Sequence, residues 1–160
     1  MVTTTFKNDL SFLNSVYNMW NQSVAKVLNI PGIRYSLTLQ PIPPVITSKS
    51  AILGGNSMGL DPVDGPLVLV LLSATWNLTT NDDTVIGAAK KLFEDIDQAA
   101  NAKGVHNKFK YLNYAAKFQD PIGSYGLINK ANLQSISRKY DPKQLFQLAV
   151  PGGFKLFVPQ

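Results

Sequence analysis

The sequence predicts an α+β domain, a short antiparallel sheet with helices packed on one face. Three observations predict it. Strand-like and helix-like segments follow one another in the order helix, strand, strand, helix, strand, helix, not in strict alternation. Both main helices carry a one-sided apolar stripe and can share a single sheet face. The chain has 160 residues, 45% of them hydrophobic, enough for one core, and no internal repeat, so one domain over residues 1–160 is expected.

The first helix is placed over residues 6–28, where Phe6, Leu10, Leu13, Tyr17, Trp20, Val24 and Val27 recur three or four apart. The threonines before it are expected to cap its free amides, and Pro31-Gly32 to stop it. Residues 33–40 alternate as a strand does. Tyr35, Leu37 and Leu39 point one way, Ser36, Thr38 and Gln40 the other. Residues 41–66 form a long connection rich in Pro, Gly and Ser, expected to be a mobile lid.

Residues 67–76 read as a central strand, apolar on both faces at first and polar towards Ser73 and Thr75. A second helix is expected over 82–103, with Val85, Ile86, Ala89, Leu92, Phe93 and Ile96 on one side, Asn81 or Thr80 as cap and Gly104 as stop. A third strand is placed at about 108–115, carrying Tyr111, Asn113 and Tyr114. Residues 126–139 read as a helix, and the stretch YDPKQLF as a turn that brings Phe146 back.

Composition removes several kinds of chemistry. With no cysteine there are no disulfides, thiolate metal sites or cysteine nucleophiles. The net charge of +5 comes from 15 basic and 10 acidic residues scattered along the chain, which argues against a nucleic-acid partner. The longest apolar run, residues 67–74, is of strand length, so no membrane span is expected. The first residues lack a signal-peptide pattern, which points to a cytoplasmic location. His106, the sole histidine, lies just past a helix stop, and the acidic residues Asp82, Asp83, Glu94, Asp95 and Asp97 fall on or at the start of a helix. A metal site is not expected. No Gly-x-Ser-x-Gly elbow occurs, which argues against hydrolysis.

What remains is a floor of hydroxyl and amide groups. Ser36, Thr38 and Gln40 share one strand face, and Ser73 and Thr75 end the neighbouring strand. Pooled, they make a substrate-binding surface with Trp76, core or rim, at its margin.

The tail SISRKYDPKQLFQLAVPGGFKLF, joined to YLNYAAKFQDPIGSYG at 111–126, resembles the C-terminal part of fungal FAD-linked oxidoreductases. These belong to the berberine bridge enzyme-like group of the vanillyl-alcohol oxidase superfamily. The segments LQPIPPVITSKSAILGGNSMGL and LVLVLLSATW resemble substrate-domain strands of the same enzymes. The resemblance implies a ferredoxin-like remnant of a substrate domain without its FAD-binding module, and so no cofactor. The Gly-rich piece at 54–59 is no dinucleotide loop, because Pro62 and Pro66 prevent a helix from following it directly.

In the resembling enzymes the element matched by Tyr111, Asn113 and Tyr114 returns towards ligand and flavin, which makes these three the candidate catalytic hydrogen-bond donors. Three functions follow as expectations. One is a cofactor-independent cyclase closing a ring on a polyketide- or terpenoid-like natural product of fungal secondary metabolism. The second is a non-catalytic small-molecule binding or accessory protein. The third is a partial FAD-dependent oxidoreductase needing a separate flavin-binding chain. The expected partners are a small hydrophobic natural product and a second copy, as a homodimer, because the uncovered sheet face needs covering.

Overall fold

The computed structural model describes residues 1–157. Four strands, β1 (Val2–Lys7), β2 (Arg34–Ile42), β3 (Leu67–Thr75) and β4 (His106–Asn107), form one sheet in the order β2-β3-β1-β4. Every neighbouring pair is antiparallel. Six α-helices accompany them: α1 (Leu10–Val24), α2 (Pro44–Ile52), α3 (Asp82–Lys103), α4 (Pro121–Ser124), α5 (Leu127–Tyr140) and α6 (Leu145–Leu148). Strand, helix, strand, strand, helix, strand with β1 and β3 central is the ferredoxin-like, split βαβ arrangement. The α+β class with helices on one sheet face is therefore what the chain adopts.

Helices α1 and α3 lie on the face formed by Val2, Phe6, Val68, Val70 and Leu72. Phe12 and Val16 of α1 and Ala89, Leu92, Phe93 and Ile96 of α3 complete that core. The Phe6 and Phe12 rings meet edge to face at 4.8 Å between centroids. Helix α3 occupies residues 82–103 as its periodicity indicates, and Gly104 ends it in the left-handed conformation at φ 73°.

Two sequence expectations fail, and a third segment proves to contain regular elements. The first helix begins later, because residues 2–7 are a strand that the three–four spacing had absorbed through Phe6. The run Thr3–Thr5 is β-branched and stiff at χ1, which favours a pleated strand over a helix cap. Phe6 is paired with Val68 across the sheet, and the cap is Asp9, whose Oδ1 accepts the Phe12 N–H at 2.8 Å. The helix stripe turns accordingly, so Leu10 and Tyr17 face outward.

The strand expected at 108–115 is absent. β4 stops at Asn107, whose own side-chain oxygen accepts the Phe109 N–H at 2.9 Å and bends the chain away. A 3-10 turn, Leu112–Tyr114, follows. The connection at 41–66 is not structureless either. It holds α2 and a 3-10 turn at Pro62–Asp64. Asn56 pins the loop between them, donating to the Leu60 carbonyl at 2.7 Å and accepting from the Met58 and Leu60 amides at 3.0 and 3.2 Å.

A polar sheet face as the candidate functional site

Cross-strand register decides which side chains share the face turned away from α1 and α3. Ser36 is paired with Ser73, Thr38 with Leu71, Gln40 with Leu69 and Arg34 with Thr75. Directly opposed residues point to the same side of a pleated sheet, so Ser36, Thr38, Gln40, Ser73 and Thr75 do form one polar surface. The Ser36 hydroxyl donates to the Ser73 carbonyl at 3.4 Å. Ser36, Thr38, Gln40 and Thr75 are exposed and Ser73 half-buried.

Arg34 belongs to the same surface, exposed, and lies within the strand expected at 33–40, two residues before Ser36 on the same alternation. Its guanidinium adds a fixed positive charge to a face that otherwise mixes neutral hydroxyl and amide groups with the apolar Leu69 and Leu71.

The lower part of the face is occupied. After leaving β4, the chain lays Phe109 over Leu69 together with Tyr125, with Tyr111, Leu112, Tyr114, Met58 and Leu60 packed around them. Phe109 and Tyr125 stack at 5.9 Å, and Tyr111 meets Tyr114 edge to face at 4.9 Å. Burial holds the Tyr125 phenol above its ordinary pKa. The space expected above Tyr111 is thus filled by the protein's own rings.

Tyr111 and Asn113 do not share a strand face. A turn brings them together instead, and Asn113 Nδ2 donates to the Tyr111 hydroxyl oxygen at 2.8 Å. Asn113 is exposed at the margin of the aromatic cluster, with Tyr111 and Tyr114 half-buried within it. The open part of the sheet and the tyrosine pair are therefore neighbours around Leu69, not one continuous floor.

Gln119 fixes this arrangement, and sequence inspection missed it. Its amide receives the Thr3 N–H at 3.1 Å and donates to the Thr3 carbonyl at 2.7 Å, as a strand residue would. It also accepts the Ala116 N–H at 3.0 Å. A glutamine in a loop carries no periodic signal, which is why it escapes notice.

Trp76, expected at the margin of this surface, and the sole histidine lie elsewhere. Trp76 is half-buried past the end of β3, donating through Nε1 to Asp82 Oδ1 at 2.7 Å. His106 is on β4, opposite Phe6 and thus on the helix side. It stands 3.9 Å from Asp97, whose carboxylate also takes the Lys110 ammonium at 3.1 Å and the Thr4 hydroxyl. Neither reaches the polar face. No cluster of three or more potential metal ligands exists among the described residues.

The Gly-rich piece at 54–59 is not a pyrophosphate loop. Gly54 and Gly55 have positive φ and open space at their Cβ positions, but they follow α2 and lead to the turn at Pro62–Asp64. A pyrophosphate cradle needs a strand before such a loop and a helix N-terminus after it. No helix among the described residues is long and apolar enough to cross a membrane.

No family model matches the chain, and no solved structure matches it. Curated proteins do. Over 96% of its length the chain is 37% identical to the FAD-dependent monooxygenase FUP4 of Fusarium proliferatum. It is 36% identical, again over 96%, to the FAD-dependent monooxygenase tpcD of Cochliobolus heterostrophus. It is 29% identical over 96% to the bifunctional solanapyrone synthase of Alternaria solani. The chain spans only 31%, 31% and 30% of these three relatives. It is thus similar, along nearly its whole length, to one part of fungal proteins named as FAD-dependent monooxygenases.

Proposed function

We propose that the chain supplies the substrate-orienting wall of an oxidoreductase that acts on a fungal natural product, with the flavin held by residues outside the 160. The supporting observation is the open polar surface of β2 and β3, where Arg34, Ser36, Thr38, Ser73 and Thr75 converge uncovered. The relatives' names supply the redox partner. Hydroxyl and guanidinium donors in that array suit the carbonyl and phenol oxygens of an aromatic or polyketide-like substrate. Tyr111 and Asn113, already hydrogen-bonded to each other, would orient the substrate from the side. These groups position and polarise, and electron transfer is left to the flavin.

A second reading is favoured by the relative named as a synthase. In that reading the wall alone promotes ring closure, pericyclic or dehydrative, by holding a reactive conformer and hydrogen-bonding one carbonyl. It needs no cofactor.

Titration calorimetry with two ligands tests both. FAD is expected to give no saturable heat with this chain. The model phenol 2-naphthol is expected to bind, and the double variant Ser36→Ala/Ser73→Ala to weaken it roughly three- to tenfold. Saturable FAD binding, or unchanged 2-naphthol affinity in the variant, would reject the wall. Ring closure of a candidate polyene precursor without flavin would select the second reading over the first.

A further inference from the structure

The helix side of the sheet carries a cavity that the polar face does not explain. A groove of ≈ 350 Å³ opens between the first turns of α3 and the sheet margin. Its floor is Leu72, Val85 and Ala89, each at most 4% exposed. Ile86 and Phe118 stand as walls, 45% and 43% exposed, with Trp76 also in the lining. Lys90 holds the Phe118 ring in place, its ammonium 5.9 Å from the ring centroid.

The groove is electrically one-sided. The segment carrying Lys117 and Phe118 lies beyond β1, tied to Thr3 through Gln119. Trp76 extends from β3, on the other side of β1. At the Trp76 end a carboxylate is already engaged, since Asp82 accepts the indole N–H. At the other end Lys117, exposed and the one residue of the lining with a charged side chain, has no ion-pair or hydrogen-bond partner among the described residues. An unpaired cation beside an apolar trough complements a ligand with one negative end and a hydrocarbon body.

We propose that this groove binds a medium-chain anionic amphiphile, with its hydrocarbon along Leu72, Val85 and Ala89 and its carboxylate at Lys117. At ~30 Å³ for each water-sized atom, the cavity holds roughly a dozen non-hydrogen atoms. An alkyl carboxylate the size of decanoate meets that count. The site is separate from the polar face and does not depend on the reading given for that face.

Calorimetry below the micellar range, with decanoate and decan-1-ol as probes, tests it. The unaltered chain is expected to bind decanoate saturably and about fivefold tighter than the alcohol, the upper range of one exposed ion pair. Lys117→Gln is expected to erase that preference while keeping the alcohol's affinity. Ile86→Glu, at an exposed position that tolerates the change, is expected to weaken decanoate at least about fivefold, while Ile86→Lys retains it and both keep the circular dichroism spectrum. Ser36→Ala/Ser73→Ala is expected to leave decanoate unaffected, which keeps this outcome distinct from that of the polar face. No saturable decanoate heat, equal affinity for acid and alcohol, or indifference to Ile86→Glu would overturn the proposal.

Discussion

Single side chains decide where the chain may open and where it closes. Gln119 is the clearest. It is buried and serves both backbone groups of Thr3, so Gln119→Ala leaves two buried polar groups of the sheet margin without partners. A loss of about 2–4 kcal/mol is expected in chemical denaturation. Thr5 is the opposite case. Its hydroxyl is buried and has no hydrogen-bond partner, so the isosteric Thr5→Val should leave stability unchanged or raise it by up to about 1 kcal/mol. A clear loss would mean that the hydroxyl is satisfied.

Two tyrosines bear on stability at alkaline pH. Burial raises the pKa of both Tyr35 and Tyr125 above the ordinary 10.0. A raised folded-state pKa means that the native chain holds its protons longer than the unfolded chain does. Their contribution is complete below about pH 10 and is lost as the pH rises through the folded values. Denaturation midpoints should therefore fall above pH 10, and Tyr35→Phe with Tyr125→Phe should flatten that fall. Asp9 works at the acid end. Hydrogen bonds from the Ser11 hydroxyl and then the Phe12 amide hold its carboxyl below its ordinary pKa, so its cap contribution is present above about pH 3.8 and lost as the pH falls further.

At the scale of elements, periodicity places β2 and α3 but sets the stripe of α1 partly on the wrong residues, since Phe12 and Val16 are buried and Leu10 and Tyr17 exposed. The β2 alternation is legible because Tyr35 and Leu37 are half-buried between exposed polar residues, and the α3 stripe because one face of that helix is buried; the shared polar face follows from the β2 alternation. β1 was misread because Phe6 happens to extend the helical spacing, while the β-branched run before it carried the better signal. β4 was overextended because nothing in the spacing of Tyr111, Asn113 and Tyr114 announces that Asn107 bends the chain. The tyrosine–asparagine pair survives as a contact, made by a turn and not by a strand.

Helix burial also separates stable from marginal elements. α3 buries seven residues, whereas α5, of 14 residues, buries none. Amide hydrogen exchange should protect α3 far more than α5, since helices draw most of their stability from packing. Gly104→Ala, which forces a Cβ into the left-handed conformation, should cost about 1 kcal/mol.

The whole molecule presents large apolar side chains at its surface. Leu127, Ile128, Phe146 and Leu148 on α5 and α6 are 88%, 78%, 65% and 77% exposed, and Ile52 and Leu53 at the end of α2 are 84% and 85% exposed. Apolar exposure of this kind marks interaction surfaces. Sedimentation velocity at micromolar concentration is expected to reveal a homodimer; a clean monomer would reject the self-association expected from the sequence. The chain spans 31% of the length of the monooxygenases FUP4 and tpcD.

The most direct measurement is an amide chemical-shift map of the labelled chain titrated with 2-naphthol. The account predicts saturable shifts centred on Ser36, Thr38, Ser73 and Thr75, reaching Tyr111 and Asn113 at the margin. Shifts confined to the helix side of the sheet, or none at saturating phenol, would contradict it.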